Sequence, residues 1–142
     1  MKTSIIIVLL TGMGVMANAQ DTTYRITVTV TSIHRVTGNL EVALYNDPET
    51  FPKDNREYRT RTIPVRETTA TCYFDVPAGD YALALYHDEN GNGKCDKNLL
   101  RVPKEPFAFS NNIRPKLRAP SFASCKFLVD DDRQITIRLD YY

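Results

Sequence analysis

Short segments in which apolar and polar residues alternate are the feature that most restricts what this sequence can form. The alternation is clear in Tyr24–Ile33, Thr69–Val76 and Gln134–Leu139. Because successive side chains of a β-strand point to opposite faces of the sheet, this pattern is typical of strands that cover a core on one side. In Tyr81–His87 apolar residues occupy both sets of positions, which predicts a central strand covered on both faces.

Turn residues separate these segments from three others that are predicted to be strands. Leu40–Tyr45 follows a turn at Gly38, so we expect it to form a hairpin with the first strand. Arg61–Arg66 contains a proline and is predicted to be an edge strand or irregular, and Ser121–Val129 resumes strand character. With about seven strands and no long helix, the sequence predicts an all-β antiparallel sandwich of the prealbumin or immunoglobulin type.

A long proline-rich segment from Asn98 to Pro120, which we call the wrap, has no period. Its prolines exclude a long helix, and its apolar content is too high for disorder. We expect the wrap to cover part of the sandwich, with the rings of Phe107 and Phe109 turned inward. Glu105 is expected to act as a clamp whose carboxylate accepts hydrogen bonds from backbone N–H groups.

The first 19 residues have the composition of a secretory signal peptide. Lys2 precedes the apolar segment Ile5–Met16, and Ala17-Asn18-Ala19 fits the small-x-small rule for cleavage. A lone membrane anchor is the alternative. The remaining residues, 20–142, have the length of one β-sandwich domain, which we expect to be exported to the periplasm or beyond. After cleavage no apolar run is long enough to span a membrane.

Charge and cysteine content restrict the possible partners. The chain has 18 Lys and Arg against 17 Asp and Glu, so no basic face is indicated, which argues against nucleic acid as a partner. We expect an unidentified partner in the cell envelope or outside the cell. Cys72, Cys95 and Cys125 allow either one disulfide or three free thiols, and Cys72–Cys95 is the tentative pair.

The turn after the predicted central strand carries the residues with the clearest chemistry. Asp88, Asn90 and Asn92 occupy the first, third and fifth places of an EF-hand-type loop. Lys94 would offer its backbone carbonyl at the seventh place and Asp96 its side chain at the ninth. Because calcium prefers hard oxygen ligands, these five residues form a candidate Ca²⁺ site, and no other cofactor is indicated.

The same turn departs from the EF-hand pattern. Leu99 occupies the twelfth place, where a bidentate carboxylate is expected, and no helices flank the loop. Glu89 or Glu105 could supply the missing oxygen. Asn, Asp and Gly are also typical of tight turns, because they tolerate left-handed backbone conformations and bond their own main chain. A calcium site and a purely structural turn are therefore both compatible with the sequence.

Two resemblances concern the fold. The runs YHDENGNGKCDKN at 86–98 and VPKEPFAFSNN at 102–112 resemble the signature of an exported bacterial family, domain of unknown function 2141. Residues 119–122 are similar to the family's next patch. This resemblance implies an exported β-sandwich with no established reaction. Residues 76–83 resemble the hairpin entry of transthyretin-like and collagen-adhesin B-type modules, which implies a stalk, carrier or spacer role by fold analogy alone.

Three function classes follow from these observations. We expect a non-enzymatic binding or structural module, with no catalytic residue and with calcium in the turn. A carbohydrate- or protein-interaction module without metal is the alternative, and it predicts an exposed aromatic patch in residues 99–113. The third class is a hydrolase that would use His87, Asp88 and Glu105 in a cleft.

Overall fold

Two β-sheets stacked face to face make up the computed structural model of this chain, which describes residues 22–100 and 102–141. The predicted all-β sandwich is confirmed. The described residues form eight strands rather than about seven. Their bounds are β1 Thr23–Thr31, β2 Asn39–Tyr45, β3 Arg59–Pro64, β4 Ala70–Pro77, β5 Gly79–Asp88, β6 Phe107–Phe109, β7 Phe127–Val129 and β8 Arg133–Arg138.

The first sheet contains three strands in the order β4-β1-β8. The β1–β4 pair is antiparallel, whereas β1 and β8 run parallel, with Val28 opposite Ile135. The second sheet has the order β3-β2-β5-β6, and β7 pairs with the first residues of β5. The predicted hairpin of the first two strands is therefore wrong, because β1 and β2 belong to different sheets. The predicted edge position of the proline-containing strand β3 is confirmed.

The segment Ser121–Val129 is only partly a strand. A short helix, α1, covers Phe122–Cys125, and Ser121 caps it by accepting a hydrogen bond from the Ser124 N–H. Phe122 and Cys125 are three positions apart and both buried, which is the spacing of one helix face rather than of a strand. Within this segment only β7 is a strand, as predicted.

The main core lies between the two sheets and contains inward-facing residues of both. A second apolar cluster covers the outer face of the second sheet. It consists of Tyr45, Phe51, Ala82, Phe109, Phe122 and Cys125. β5 is therefore buried on both faces, as its sequence predicts, and the wrap covers the outer one.

Ser110 attaches the wrap to β5. It begins a short 3-10 turn, Ser110–Asn112, directly after β6, and its side chain is completely buried. Its hydroxyl oxygen accepts a hydrogen bond from the Leu83 N–H at 2.9 Å and donates to the Cys125 carbonyl at 2.6 Å. One hydroxyl thus satisfies main-chain groups of β5 and α1 together.

The three cysteines are free thiols, so the tentative Cys72–Cys95 disulfide is wrong. Cys72 belongs to the core between the sheets, whereas Cys95 lies in the turn that follows β5. Burial raises the pKa of both thiols to about 11. The predicted signal peptide, residues 1–19, lies outside the described residues. Among the residues that are described, no helix is long and apolar enough to cross a membrane.

Candidate functional site

Asp88 ends β5 and begins the turn. Its side chain is 1 % exposed, and both carboxylate oxygens accept hydrogen bonds from the backbone of the turn. Oδ1 accepts from the Asn92 N–H at 3.1 Å and Oδ2 from the Gly93 N–H at 2.7 Å. Gly93 has a φ of +74°, a left-handed conformation that glycine adopts without steric cost. The carboxylate of Asp88 thus organises the backbone of the turn.

Asp96 lies on the other side of the same turn. Its Oδ2 accepts hydrogen bonds from the amide nitrogens of Asn90 at 2.7 Å and Asn92 at 3.0 Å. These two hydrogen bonds, with that from Asn90 the stronger, lower the pKa of Asp96. Since Asn92 bonds both Asp88 and Asp96, the turn brings the two carboxylates to a common neighbour.

The amide oxygens face the backbone of the turn. Asn90 Oδ1 accepts from the Asn92 N–H at 3.0 Å, and Asn92 Oδ1 accepts from the Lys94 N–H at 2.9 Å. Each amide oxygen has two lone pairs, so one remains for a further partner. In the described part of the chain the Lys94 carbonyl accepts no hydrogen bond. The structure therefore gathers the four predicted side chains and leaves the Lys94 carbonyl unengaged.

The Glu105 side chain bonds the backbone near both ends of the turn. Its Oε1 accepts from the Glu89 N–H at 3.2 Å and its Oε2 from the Asp96 N–H at 3.1 Å. The expected clamp role of Glu105 is confirmed. Burial raises the pKa of Glu105, and the charges of Asp88 and Asp96 raise it further. Both of its oxygens accept hydrogen bonds from backbone N–H groups, as do both oxygens of Asp88.

Glu89 is directed away from the turn. Its Oε2 pairs with Arg35 Nη1 at 2.9 Å, and its Oε1 lies 3.8 Å from Nδ1 of the buried His87. His87 Nε2 lies 2.7 Å from the Thr37 carbonyl, which can only accept, so Nε2 carries the proton. Nδ1 of His87 is buried and has no hydrogen-bond partner among the described residues.

The hydrolase hypothesis required His87, Asp88 and Glu105 in one cleft. A shallow depression of about 380 Å³ lies beside the turn, and Glu105 lines it together with Asn90 and Asp96. His87 and Asp88 are fully buried and do not line it. The three side chains thus share no open surface.

A larger groove, which the sequence did not reveal, lies over the outer face of the second sheet. Its volume is about 540 Å³, and Ala84, Tyr86 and Phe107 line it. The predicted exposed aromatic patch is absent from the described part of the wrap, because Phe109 is buried and Phe107 is half-buried. The exposed large apolar side chains in the described part of the wrap are instead aliphatic. They are Leu99, Leu100, Val102 and Leu117.

The donors of the turn define which ion it could hold. Two carboxylates, two amides and one carbonyl form an all-oxygen set, which suits calcium rather than zinc or copper. Within residues 22–100 and 102–141 there is no group of three or more His, Cys, Asp or Glu side chains placed to hold a metal. Any ion in this turn would therefore depend on the asparagine and main-chain oxygens.

Comparison with known proteins identifies the family. The family model described as "Uncharacterized protein conserved in bacteria (DUF2141)" matches residues 28–137, from β1 to β8 and including the whole turn. No curated protein and no solved structure matches the chain. The chain belongs to the bacterial family known as domain of unknown function 2141.

Proposed function

We propose that this protein is an exported, non-enzymatic binding module whose turn from Asp88 to Asp96 holds one calcium ion. The observation that carries the proposal is the meeting of the Asp88 and Asp96 carboxylates at Asn92. The ligands would be Asp88, Asn90, Asn92 and Asp96 with the Lys94 carbonyl.

Charge in the turn supports a cation. Asp88, Asp96 and Glu105 are close enough for the first two to raise the pKa of the third, after the larger effect of burial. A divalent cation beside Asp88 and Asp96 would offset this repulsion, because an opposite charge favours ionised carboxylates. The exposed Lys94 and Lys104 lie near Asp96 and lower its pKa, so they neutralise part of the charge from the solvent side.

The ion would have a mechanical role. Asp88 ends β5, and Asp96 begins the loop that leads to β6. Glu105 already joins the two segments from one side through the backbone of Glu89 and Asp96. Calcium would join them from the other side and so fix the point where the wrap leaves the second sheet.

Thermal unfolding with and without calcium tests the proposal. With two carboxylates and two amides, the Kd is expected in the weak extracellular range, about 10⁻⁴–10⁻³ M. Calcium at about ten times Kd then stabilises the fold by about 1.4 kcal/mol, which raises Tm by about 4 °C. Asp88→Ala and Asp96→Ala should each remove this shift. Asp130→Ala, at an exposed acid in another turn, is the control and should keep it.

Two outcomes would contradict the calcium role. A Tm that does not respond to calcium in the wild type would leave the turn purely structural. A shift that persists in both Asp88→Ala and Asp96→Ala would place the ion elsewhere. Asp88→Ala is also expected to lower Tm in chelator, since the Asn92 and Gly93 N–H groups lose their acceptor.

An interaction module without metal is the second candidate. The exposed Leu100 and Leu117, which line the same groove, favour it, because clustered apolar side chains on a surface are typical of interaction sites. The buried ring of Phe109 gives no support to a carbohydrate platform of stacked aromatics. This candidate predicts that binding of the partner is the same in calcium and in chelator.

A further inference from the structure

The groove over the second sheet has an apolar floor and wall. Ala43 of β2 and Ala84 of β5 are neighbours across the sheet, and their small side chains leave room above it. Phe107 and Phe109 of β6 form the adjoining wall. A volume of about 540 Å³ is in the range of small-molecule sites. The floor therefore suits an apolar group of ligand size.

The loops at the rim of the groove expose leucines. Leu100 is 83 % exposed and Leu117 is 100 % exposed, and both line the groove. They belong to the two ends of the wrap, before β6 and after the 3-10 turn. Burial of such side chains against an apolar ligand would remove them from water, which is favourable by about 25 cal/mol per Å².

Some charged side chains at the rim of the groove have partners and others do not. Lys97 and Asp54 lie 3.9 Å apart, Glu41 accepts a hydrogen bond from the Thr62 hydroxyl, and Glu57 accepts one from the Asn55 N–H. Lys116 and Arg118 also line the groove, and among the described residues neither has an acidic partner. The part of the rim that carries Leu117 is thus cationic and can pair with an anion.

We propose that the groove binds an amphiphile with a single apolar chain and an anionic head. The chain would lie over Ala43 and Ala84, and the head would pair with Lys116 and Arg118. A sugar fits less well, because the main-chain groups of the floor are used in the sheet. This proposal does not depend on calcium in the turn, and it stands if the calcium titration is flat.

Calorimetric titration with laurate at concentrations below micelle formation tests the proposal, with dodecanol as the neutral probe of equal chain length. We expect one laurate per chain and weaker binding of dodecanol. The double variant Lys116→Ala, Arg118→Ala should weaken laurate binding by about fivefold and leave dodecanol unchanged, as expected for exposed ion pairs. Equal loss for both probes would overturn the assignment of the head group.

Substitutions in the groove test where the apolar chain of the ligand lies. Ala84→Leu fills the floor and should abolish binding of both probes, with circular dichroism to check folding. Leu100→Ser and Leu117→Ser are exposed changes that do not threaten the fold, and each should weaken both probes severalfold. Leu128→Ser is the matched control, since Leu128 is 52 % exposed and lies outside the groove; it should change nothing.

Three results would overturn the proposal. The first is absence of laurate binding to the wild type. The second is binding of several laurate ions per chain that no variant weakens, which is surfactant adsorption. The third is a dimer in sedimentation velocity that Leu117→Ser dissociates, because a second copy of the chain would then cover the groove.

Discussion

Gly38 lies where the segment between the sheets passes the end of β5. Its φ is +63°, and a Cβ built on it would lie 1.9 Å from the Asp88 carbonyl oxygen. Main-chain atoms would have to move to admit any side chain. Gly38→Ala is therefore expected to lower the free energy of unfolding by about 3 kcal/mol, as measured by urea denaturation.

Gly91→Ala is the matched control for this substitution. Gly91 has a similar φ of +71°, but nothing lies within 4 Å of its built Cβ. Its replacement carries only the conformational cost of a left-handed residue, about 1 kcal/mol. Equal losses at Gly38 and Gly91 would show that the contact with Asp88 does not matter.

Ser110→Ala is the second prediction for a single residue. It would leave the Leu83 N–H and the Cys125 carbonyl buried without their hydrogen bonds. The expected loss is about 2 kcal/mol in the free energy of unfolding by denaturant. Ser124→Ala, at an exposed serine of α1, should cost less. A smaller loss at Ser110 than at Ser124 would contradict this role of the hydroxyl.

Local chemistry made some of these residues predictable. The glycines of the turn and the clamp role of Glu105 follow from the preferences of single residue types near one another in sequence. The role of Ser110 does not, because its partners Leu83 and Cys125 come from distant segments. The contact between Gly38 and Asp88 was hidden for the same reason.

Cross-strand charge pairing offers a test at the scale of strands. Arg25 of β1 lies opposite Asp75 of β4, and Arg25 Nε bonds Asp75 Oδ1 at 2.8 Å. The hydrogen bond from Arg25 lowers the pKa of Asp75 below its usual value of 3.8. Arg25→Gln should raise that pKa toward 3.8, as followed by NMR titration, whereas Arg66→Gln should not.

The sign of the stability effect follows from the direction of this shift. A carboxyl group with a depressed pKa in the folded state contributes stability above its unfolded pKa, and this is lost as pH falls through the folded pKa. The difference between wild type and Arg25→Gln should thus be present at neutral pH and shrink below 3.8. Both groups are exposed, so added salt should reduce it. A difference that grows in acid would contradict the pairing.

Strands were easier to predict than their neighbours. The pattern of apolar residues predicts one buried face for β1, β4 and β8 and two for β5, as the structure has them. It does not report which strand pairs with which, so β1 and β2 were joined although they lie in different sheets. The strand β6 was missed because three residues, Phe107–Phe109, are too few to show a period.

The sandwich as a whole depends on its last strand. β8 pairs in parallel with β1 at the other end of the chain, and Ile137 is completely buried. A chain that ends after Asp132 should lose cooperative thermal unfolding, since half of the pairing of β1 and part of the core disappear. A chain that ends after Asp140 should retain it. Cooperative unfolding of the shorter chain would show that β8 is an accessory strand.

The closure behind the turn has a consequence for how such chains diversify. The Lys104 N–H donates to the Asp96 carbonyl at 2.7 Å, and Lys97 forms a β-bridge with Pro103, so both ends of the intervening segment are fastened together. Loop-closure entropy rises by only about 0.6 kcal/mol for each doubling of loop length. Insertions and exchanges there are thus tolerated, and relatives of this protein could acquire new ligands by altering one rim of the groove while the framework beneath stays the same.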